Sequence, residues 1–189
     1  MSVSPSGTLI LVVGPSGAGK DTLIAGARAA LKGDARFVFP RRAITRPQVI
    51  GIEDNETMAP GAFAAAMAAG AFALAWRAHG LGYGIPITIE TALNQGRHAV
   101  VNVSRSVIPE ARQRYQPLHI VEAWAPPEVL AERLAGRGRE SDDEIEQRLS
   151  RASAVEVEGP DVTRIPTTGT VAESLERFLV ILRALAQEA

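Results

Sequence analysis

The chain has no cysteine, which excludes disulfides, thiolate zinc sites and cysteine nucleophiles. Lysine is nearly as scarce: of 20 basic residues, only Lys20 and Lys32 are lysines. The three histidines, His79, His98 and His119, fall at no metal-ligand spacing and read as packing or surface residues. No apolar run is long enough to span a bilayer, and the first residues lack the charged segment of an export signal, so a cytoplasmic location is expected. A net charge of −1 gives no overall field to attract nucleic acid or an anionic membrane, and neither is expected as a partner. Internal repeats and low-complexity linkers are absent as well. What is there, 189 residues of which 46% are hydrophobic, suits one α/β domain with a sizeable core.

The stretch from Thr8 to Thr22 organises the rest. Thr8 to Val13 is a short apolar run rich in β-branched residues, as in a strand buried on both faces. Gly14, Pro15, Ser16, Gly17, Ala18, Gly19 and Lys20 then satisfy the G-x-x-x-x-G-K pattern of a phosphate-binding loop. Past Lys20, apolar residues at Leu23, Ile24, Ala27 and Leu31 take helical spacing, to an end near Gly33. In such a loop glycine geometry turns backbone N–H groups inward, the helix adds its unpaired N–H groups, and the lysine adds a mobile charge. With only two lysines in the chain, a lysine in this place owes little to composition. The position after it, usually Ser or Thr, is Asp21, followed by Thr22. A hydroxyl there normally ligates Mg²⁺; Asp21 can contact the ion or one of its waters, while Thr22 can bond a phosphate oxygen.

Further strands are expected at 36–39, 98–103, 118–123 and 162–165, each a short apolar run, with helices at about 107–115, 126–134, 141–154 and 171–186. The alanine-rich stretch 59–75 reads as a small helix broken at Gly70, residues 76–86 as an aromatic, glycine-rich loop, and 85–95 as a helix stopped at Gly96. Strands alternating with helices imply a parallel sheet with ligands at the strand carboxyl ends. Arginines gather where that edge should lie. Arg41, Arg42 and Arg46 fall within six residues after the second strand, and Ser104-Arg105 follows the third. A solvated charged face would explain an isolated cluster, but clusters at successive strand ends favour an anion site. Arg133, Arg137, Arg139, Arg148 and Arg151 form another group, with Arg137 and Arg139 flanked by glycines at a break between helices. Guanidinium groups on a closing segment are what neutralises the charge spread over a phosphoryl group in transfer.

Taken together, the loop, Thr45-Arg46-Pro47, Tyr83-Gly84 and Arg137-Gly138-Arg139 resemble the guanylate kinase group of nucleoside-monophosphate kinases over essentially the whole chain. Lys20-Asp21, Arg42 to Arg46, Ala78 to Pro86, Val101 to Arg105 and Arg137 to Glu140 are most similar to the ribose 1,5-bisphosphate phosphokinases of the phosphonate-degrading carbon–phosphorus lyase pathway. The resemblance implies a three-layer P-loop fold, with a five-stranded parallel sheet carrying helices on both faces. It implies a single kinase domain over 1–189, with a substrate-binding insert at about 40–90 and a lid at about 136–152. It implies ATP and Mg²⁺ as cofactors and a phosphorylated sugar as acceptor, the product being phosphoribosyl diphosphate. Gly14 to Thr22 match the ATP phosphate site, with Asp21 toward the metal. Arg42, Thr45, Arg46, Tyr83, Ser104 and Arg105 match the acceptor side. Lys20, Arg137, Arg139 and Arg148 match the catalytic cations. Monomer and homodimer are both compatible with the sequence.

Two departures from guanylate kinases bear on the acceptor. The carboxylate that reads guanine is missing from Phe72-Ala-Leu-Ala75, and the usual third-strand aspartate is replaced in a region reading Asn102 and Ser104. Each guanine donor left buried and unpaired costs about 1–3 kcal/mol, which disfavours guanine. A guanylate kinase, another small-molecule kinase and a catalytically silent binding module are the alternatives. A gluconate-type kinase must deprotonate a neutral hydroxyl, and no convincing base is in view; intact Gly19-Lys20 and the lid arginines argue against a silent module.

Overall fold

The computed structural model describes residues 7–46, 55–136 and 157–187. Its centre is β1 (Leu9–Val13), whose five residues are all completely buried. Around it lie β2 (Phe37–Val38), β7 (His98–Asn102), β8 (Leu118–Trp124) and β9 (Val162–Pro166), in the spatial order β2-β7-β1-β8-β9 with every pairing parallel. Parallel neighbours need crossover connections, and helices supply most of them. One face of the sheet meets α1 (Lys20–Ala30), α5 (Pro127–Ala135) and α6 (Val171–Leu185) through Leu23, Ala27, Leu130, Phe178 and Leu182. The other face meets α3 (Ile89–Asn94) and α4 (Ile108–Arg114) through Ile89, Leu93, Ile108 and Ala111. Both faces being covered, the central strands β1 and β7 are apolar at successive positions instead of alternate ones, as the sequence predicts. Among the described residues no helix is long and apolar enough to cross a membrane.

Strand order reverses at β1. The chain leaves β1 toward β2 and β7, then returns to the other side for β8 and β9. A reversal of that kind opens a crevice at the carboxyl end of the strand where it occurs, and residues 14–19 sit there.

Between β2 and α3 the structure departs from the sequence reading. The alanine-rich helix is shorter than expected: α2 spans Pro60–Ala68 and closes with Ala71 N–H donating to Ala66 O (3.0 Å) and Gly70 N–H to Met67 O (3.1 Å). That double closure needs a left-handed residue, which Gly70 supplies at φ 69°. Residues 72–75, expected as helix, belong to β5 (Phe72–Ala78), and the expected loop is β6 (Leu81–Pro86), antiparallel to it with Trp76 opposite Tyr83. His79 (φ 51°) and Gly80 (φ 74°) form the two-residue turn, whose positive φ values match the strand twist. Ile85 and Pro86 are therefore strand, and α3 begins only at Ile89. With β3 (Arg42–Ile44) and β4 (Asn55–Thr57) these strands make a second sheet in the order β4-β3-β6-β5. Pairing across strands here outweighs the helix preference of alanine. The expected helix at 141–154, with its Ser141–Glu144 cap, lies outside the described residues; a capping box does open α6, between Thr170 and Glu173.

His98 is a packing residue, as its lack of ligand spacing suggests. It is buried against Phe37, with ring centroids 5.4 Å apart, and its Nδ1 accepts the Thr8 N–H at 3.1 Å. Burial lowers its pKa below the ordinary 6.5; Arg36 adds to the shift and Asp34 opposes it. A depressed folded-state pKa means that the unfolded chain takes up the proton first as pH falls. The contribution is therefore complete above about pH 6.5 and is lost below it, at about 1.4 kcal/mol per unit of depression. Thermal melts from pH 7.5 down to pH 5 should show this slope, and His98→Asn should flatten it while lowering the melting temperature at pH 7.5. An unchanged slope in the variant would place the titration elsewhere.

Candidate active site

The loop between β1 and α1 is shaped by an approach that only glycine permits. A Cβ on Gly14 would stand 2.3 Å from the Ala123 carbonyl oxygen of β8, and its φ is 140°. Gly19, at φ 81°, precedes α1, and no side chain caps that helix, so its first N–H groups face the loop. Lys20 folds back over the loop: its Nζ donates to Gly14 O and Pro15 O, both at 2.8 Å. The ammonium is thereby held at the mouth of the turn. Ala18 anchors the turn in the core, while Ser16, Asp21 and Thr22 are exposed. Asp21 Oδ1 accepts from Asn102 Nδ2 at 2.6 Å, which joins the first turn of α1 to the end of β7.

The small sheet brings its cation from a different direction. The Arg42 guanidinium lies 5.2 Å from the centre of the Tyr83 ring, which stacks on Trp76 at 5.3 Å and 5°. An aromatic face favours the cation and holds its plane, and a planar guanidinium is suited to two-pronged contact with phosphate. Thr45 holds β6, since its Oγ1 accepts the Gly82 N–H (2.8 Å) and its own N–H donates to Gly82 O (3.0 Å). Arg46 follows it, partly buried. Ser104 acts locally as well. Its Oγ accepts the Ser106 N–H and caps the short 3₁₀ turn Arg105–Val107. Burial lowers the pKa of the Arg105 guanidinium, and the Glu122 carboxylate acts in the opposite sense.

Two residues at this edge, Glu122 and Arg133, lie outside the site residues expected from sequence. Glu122, at the end of β8, is 3% exposed and accepts from Arg164 Nε of β9 at 2.8 Å. Arg133 of α5 donates to Gly17 O (3.3 Å) and to the backbone and hydroxyl oxygens of Thr167, bracing the phosphate loop from the β9 side. Asn102 and Glu122 interrupt otherwise apolar strands, a signal visible in sequence; nothing in sequence pairs Arg133 with Thr167. Arg137, Arg139 and Arg148, expected in a lid, lie like Pro47 outside the described residues. Among the described residues no group of three or more histidine and carboxylate side chains could hold a metal by itself.

The chain is 49% identical over 178 residues to "ribose 1,5-bisphosphate phosphokinase PhnN" of Methylobacterium radiotolerans, covering 94% of this chain and 98% of that one. Identity to the protein of the same name from Brucella abortus biovar 1 is 46% over 183 residues, 97% of this chain and 95% of the relative. The chain belongs to the ribose 1,5-bisphosphate phosphokinase family. Among solved structures, a guanylate kinase from Anaplasma phagocytophilum superposes with a TM-score of 0.69 at 17% identity, over 96% of this chain and 87% of that one, a likeness of fold. No family model matches the chain. In this chain the loop is thus set by the same strand–turn–helix geometry that its sequence announces.

The tight approach at Gly14 gives a direct check. Gly14→Ala should destabilise the fold by about 2 kcal/mol or more, as overpacking against backbone does, and should abolish ATP binding even where folded protein is recovered. Normal melting together with normal nucleotide affinity would mean that the loop relaxes freely around the added methyl.

Proposed function

We infer that the protein transfers the γ-phosphoryl group of ATP to the 1-phosphate of ribose 1,5-bisphosphate, forming 5-phospho-α-D-ribose 1-diphosphate. The observation that carries this reading is identity of 46–49% over nearly the full length to enzymes so named. The site chemistry supports it independently. A phosphate acceptor is already anionic, so no general base is required, and placement plus charge neutralisation supply the catalysis. The backbone of Gly14 to Gly19 and the N-terminus of α1 bind the donor phosphates, with Ser16 and Thr22 as hydroxyl contacts. Lys20 leaves the carbonyls of Gly14 and Pro15 to meet the charge of the moving group. On the acceptor side, the small sheet is the substrate-binding insert: Arg42, backed by Tyr83, and Arg46 contact phosphate, and Thr45 fixes the strand that carries them. Ser104 and Arg105 close the β7 end. Arg137, Arg139 and Arg148 act from the lid on the equatorial oxygens.

Mg²⁺ fits this edge in the way it fits other kinases, held by one carboxylate together with substrate phosphates and water. Asp21 is that carboxylate, oriented by the Asn102 amide. Bound there, the ion neutralises phosphate charge and orients the donor.

Phosphate transfer from ATP, followed by ³¹P NMR, should yield a diphosphate from ribose 1,5-bisphosphate much faster than from GMP at equal low concentration. Faster conversion of GMP would overturn the assignment. Lys20→Ala should lower kcat by about 10²–10³-fold with an unaltered circular dichroism spectrum, since removal of one preorganised charge contact costs on that order. Substantial turnover in a folded variant would remove Lys20 from the chemistry. Arg137→Ala and Arg139→Ala should each lower kcat more than they raise KM for ATP, because groups aimed at the transition state act there chiefly. A rise in KM alone would make them binding groups.

A further inference from the structure

A cleft of about 100 Å³ runs between α1 and the small sheet. Its walls carry Asp21 and Arg28 from α1, Arg42 and Asn55 from β3 and β4, and Asn102 from β7, over an apolar floor that includes Val100. Asp21 and Arg28 stand two helical turns apart, about 10 Å along the axis. The cleft therefore has two ends. One is the Asp21–Asn102 contact beside Lys20, the end that faces the phosphate loop. The other lies under the β2–β3 connection, where Arg28 Nη2 donates to Phe39 O at 3.4 Å.

The cationic side chains of this cleft suit an anion: a guanidinium only donates hydrogen bonds, and the oxygens of an ionised phosphate only accept them. Among the described residues that line it, Arg28 and Arg42 carry planar donor groups suited to a second phosphate, and the amides of Asn55 and Asn102 suit sugar hydroxyls. Which phosphate enters follows from distance. A reacting oxygen must come within about 3–3.5 Å of the γ-phosphorus, at the Lys20 end. A phosphate seated near Arg28 is too far along the helix to react.

We propose that this cleft is the subsite for the non-reacting 5-phosphate of the acceptor, with Arg28 as its specificity-determining cation and Asn55 as a wall that meets the sugar. The proposal rests on the acceptor reading above and adds the orientation of the substrate: 1-phosphate toward Lys20, 5-phosphate toward Arg28. It also gives a role to an arginine inside the phosphate-loop helix that the loop motif itself does not use.

The test compares two acceptors that differ only at the distal end, ribose 1,5-bisphosphate and ribose 1-phosphate, in the wild type and in Arg28→Met, which keeps length and helix preference. KM for the bisphosphate should rise about 10- to 100-fold in the variant, the loss expected for one charge-assisted contact. KM for ATP and kcat/KM for ribose 1-phosphate should change by less than about threefold, since neither uses the lost contact. Ribose 5-phosphate, as a competitive inhibitor of the wild type, should lose potency in parallel, and Arg28→Lys should recover part of both effects. Equal losses on the two acceptors, or no loss on either, would overturn the subsite while leaving the reaction in place. A wild type that phosphorylates GMP but not the bisphosphate would overturn the acceptor reading and the subsite with it. Arg28→Gln carries the same comparison if the methionine variant does not fold.

Discussion

Phosphoryl transfer between two phosphates begins with a repulsion. Two unit charges 4 Å apart oppose each other by about 4 kcal/mol at the effective dielectric of a protein surface, and each reactant here carries several. A chain of net charge −1 cannot offset this with a general field, so it must gather cations at one place. On the proposed reading they come from separate segments. Lys20 comes from the first helix, Arg42 from the small sheet, Arg105 from the turn after β7, and Arg164 lies on β9. Glu122 keeps the last of these in position and bears on Arg105 as well, so the edge is an organised set of charges, with counter-charge built in.

Such a set needs a stiff base. The apolar strands of the main sheet, covered on both sides, supply it, because a close-packed interior has few alternative arrangements. The small sheet is fastened to that base by a polar cluster. Arg114 Nη1 donates to Ala73 O of β5 at 2.7 Å, and Tyr115 OH donates to Glu90 of α3 at 2.7 Å. Burial pushes the Tyr115 phenol well above its ordinary pKa, and the bond to Glu90 adds to that, so it stays a donor. The cluster reaches β5 at Ala73, short of Trp76, and so fixes the sheet without drawing on the aromatic stack that supports Arg42.

The main sheet and the phosphate loop are legible in the sequence because their signals are local. A buried strand is a run of adjacent apolar residues, and the loop's glycines and lysine are contiguous. The small sheet is not. Strands β3 and β4 are only three residues long, β5 carries helix-favouring alanine at Ala73, Ala75 and Ala78, and β3 pairs with β4 and β6 across the chain, so the information that decides strand over helix lies outside any one window. His79 does not announce a left-handed turn residue, and so the hairpin reads as a loop. The same reason hides Arg28 and Asn55. Each is ordinary in its own segment and acquires meaning only when α1 and β4 face one cleft.

Asp21 and Asn102 show how such distant positions constrain each other. The general phosphate-loop motif leads one to expect a hydroxyl after the loop lysine, and the guanylate kinase pattern a carboxylate on the third strand. This chain has the carboxylate after the lysine and an amide on the strand, and the two side chains meet at 2.6 Å. Two carboxylates at that separation would repel, and one would be driven to take a proton. A hydroxyl with an amide would leave no carboxylate at the loop's edge. Carboxylate with amide keeps one negative charge there and gives it a neutral donor that fixes its direction. The acid in the loop and the amide on the strand thus act as one pair in physical terms, divided between two places in the sequence.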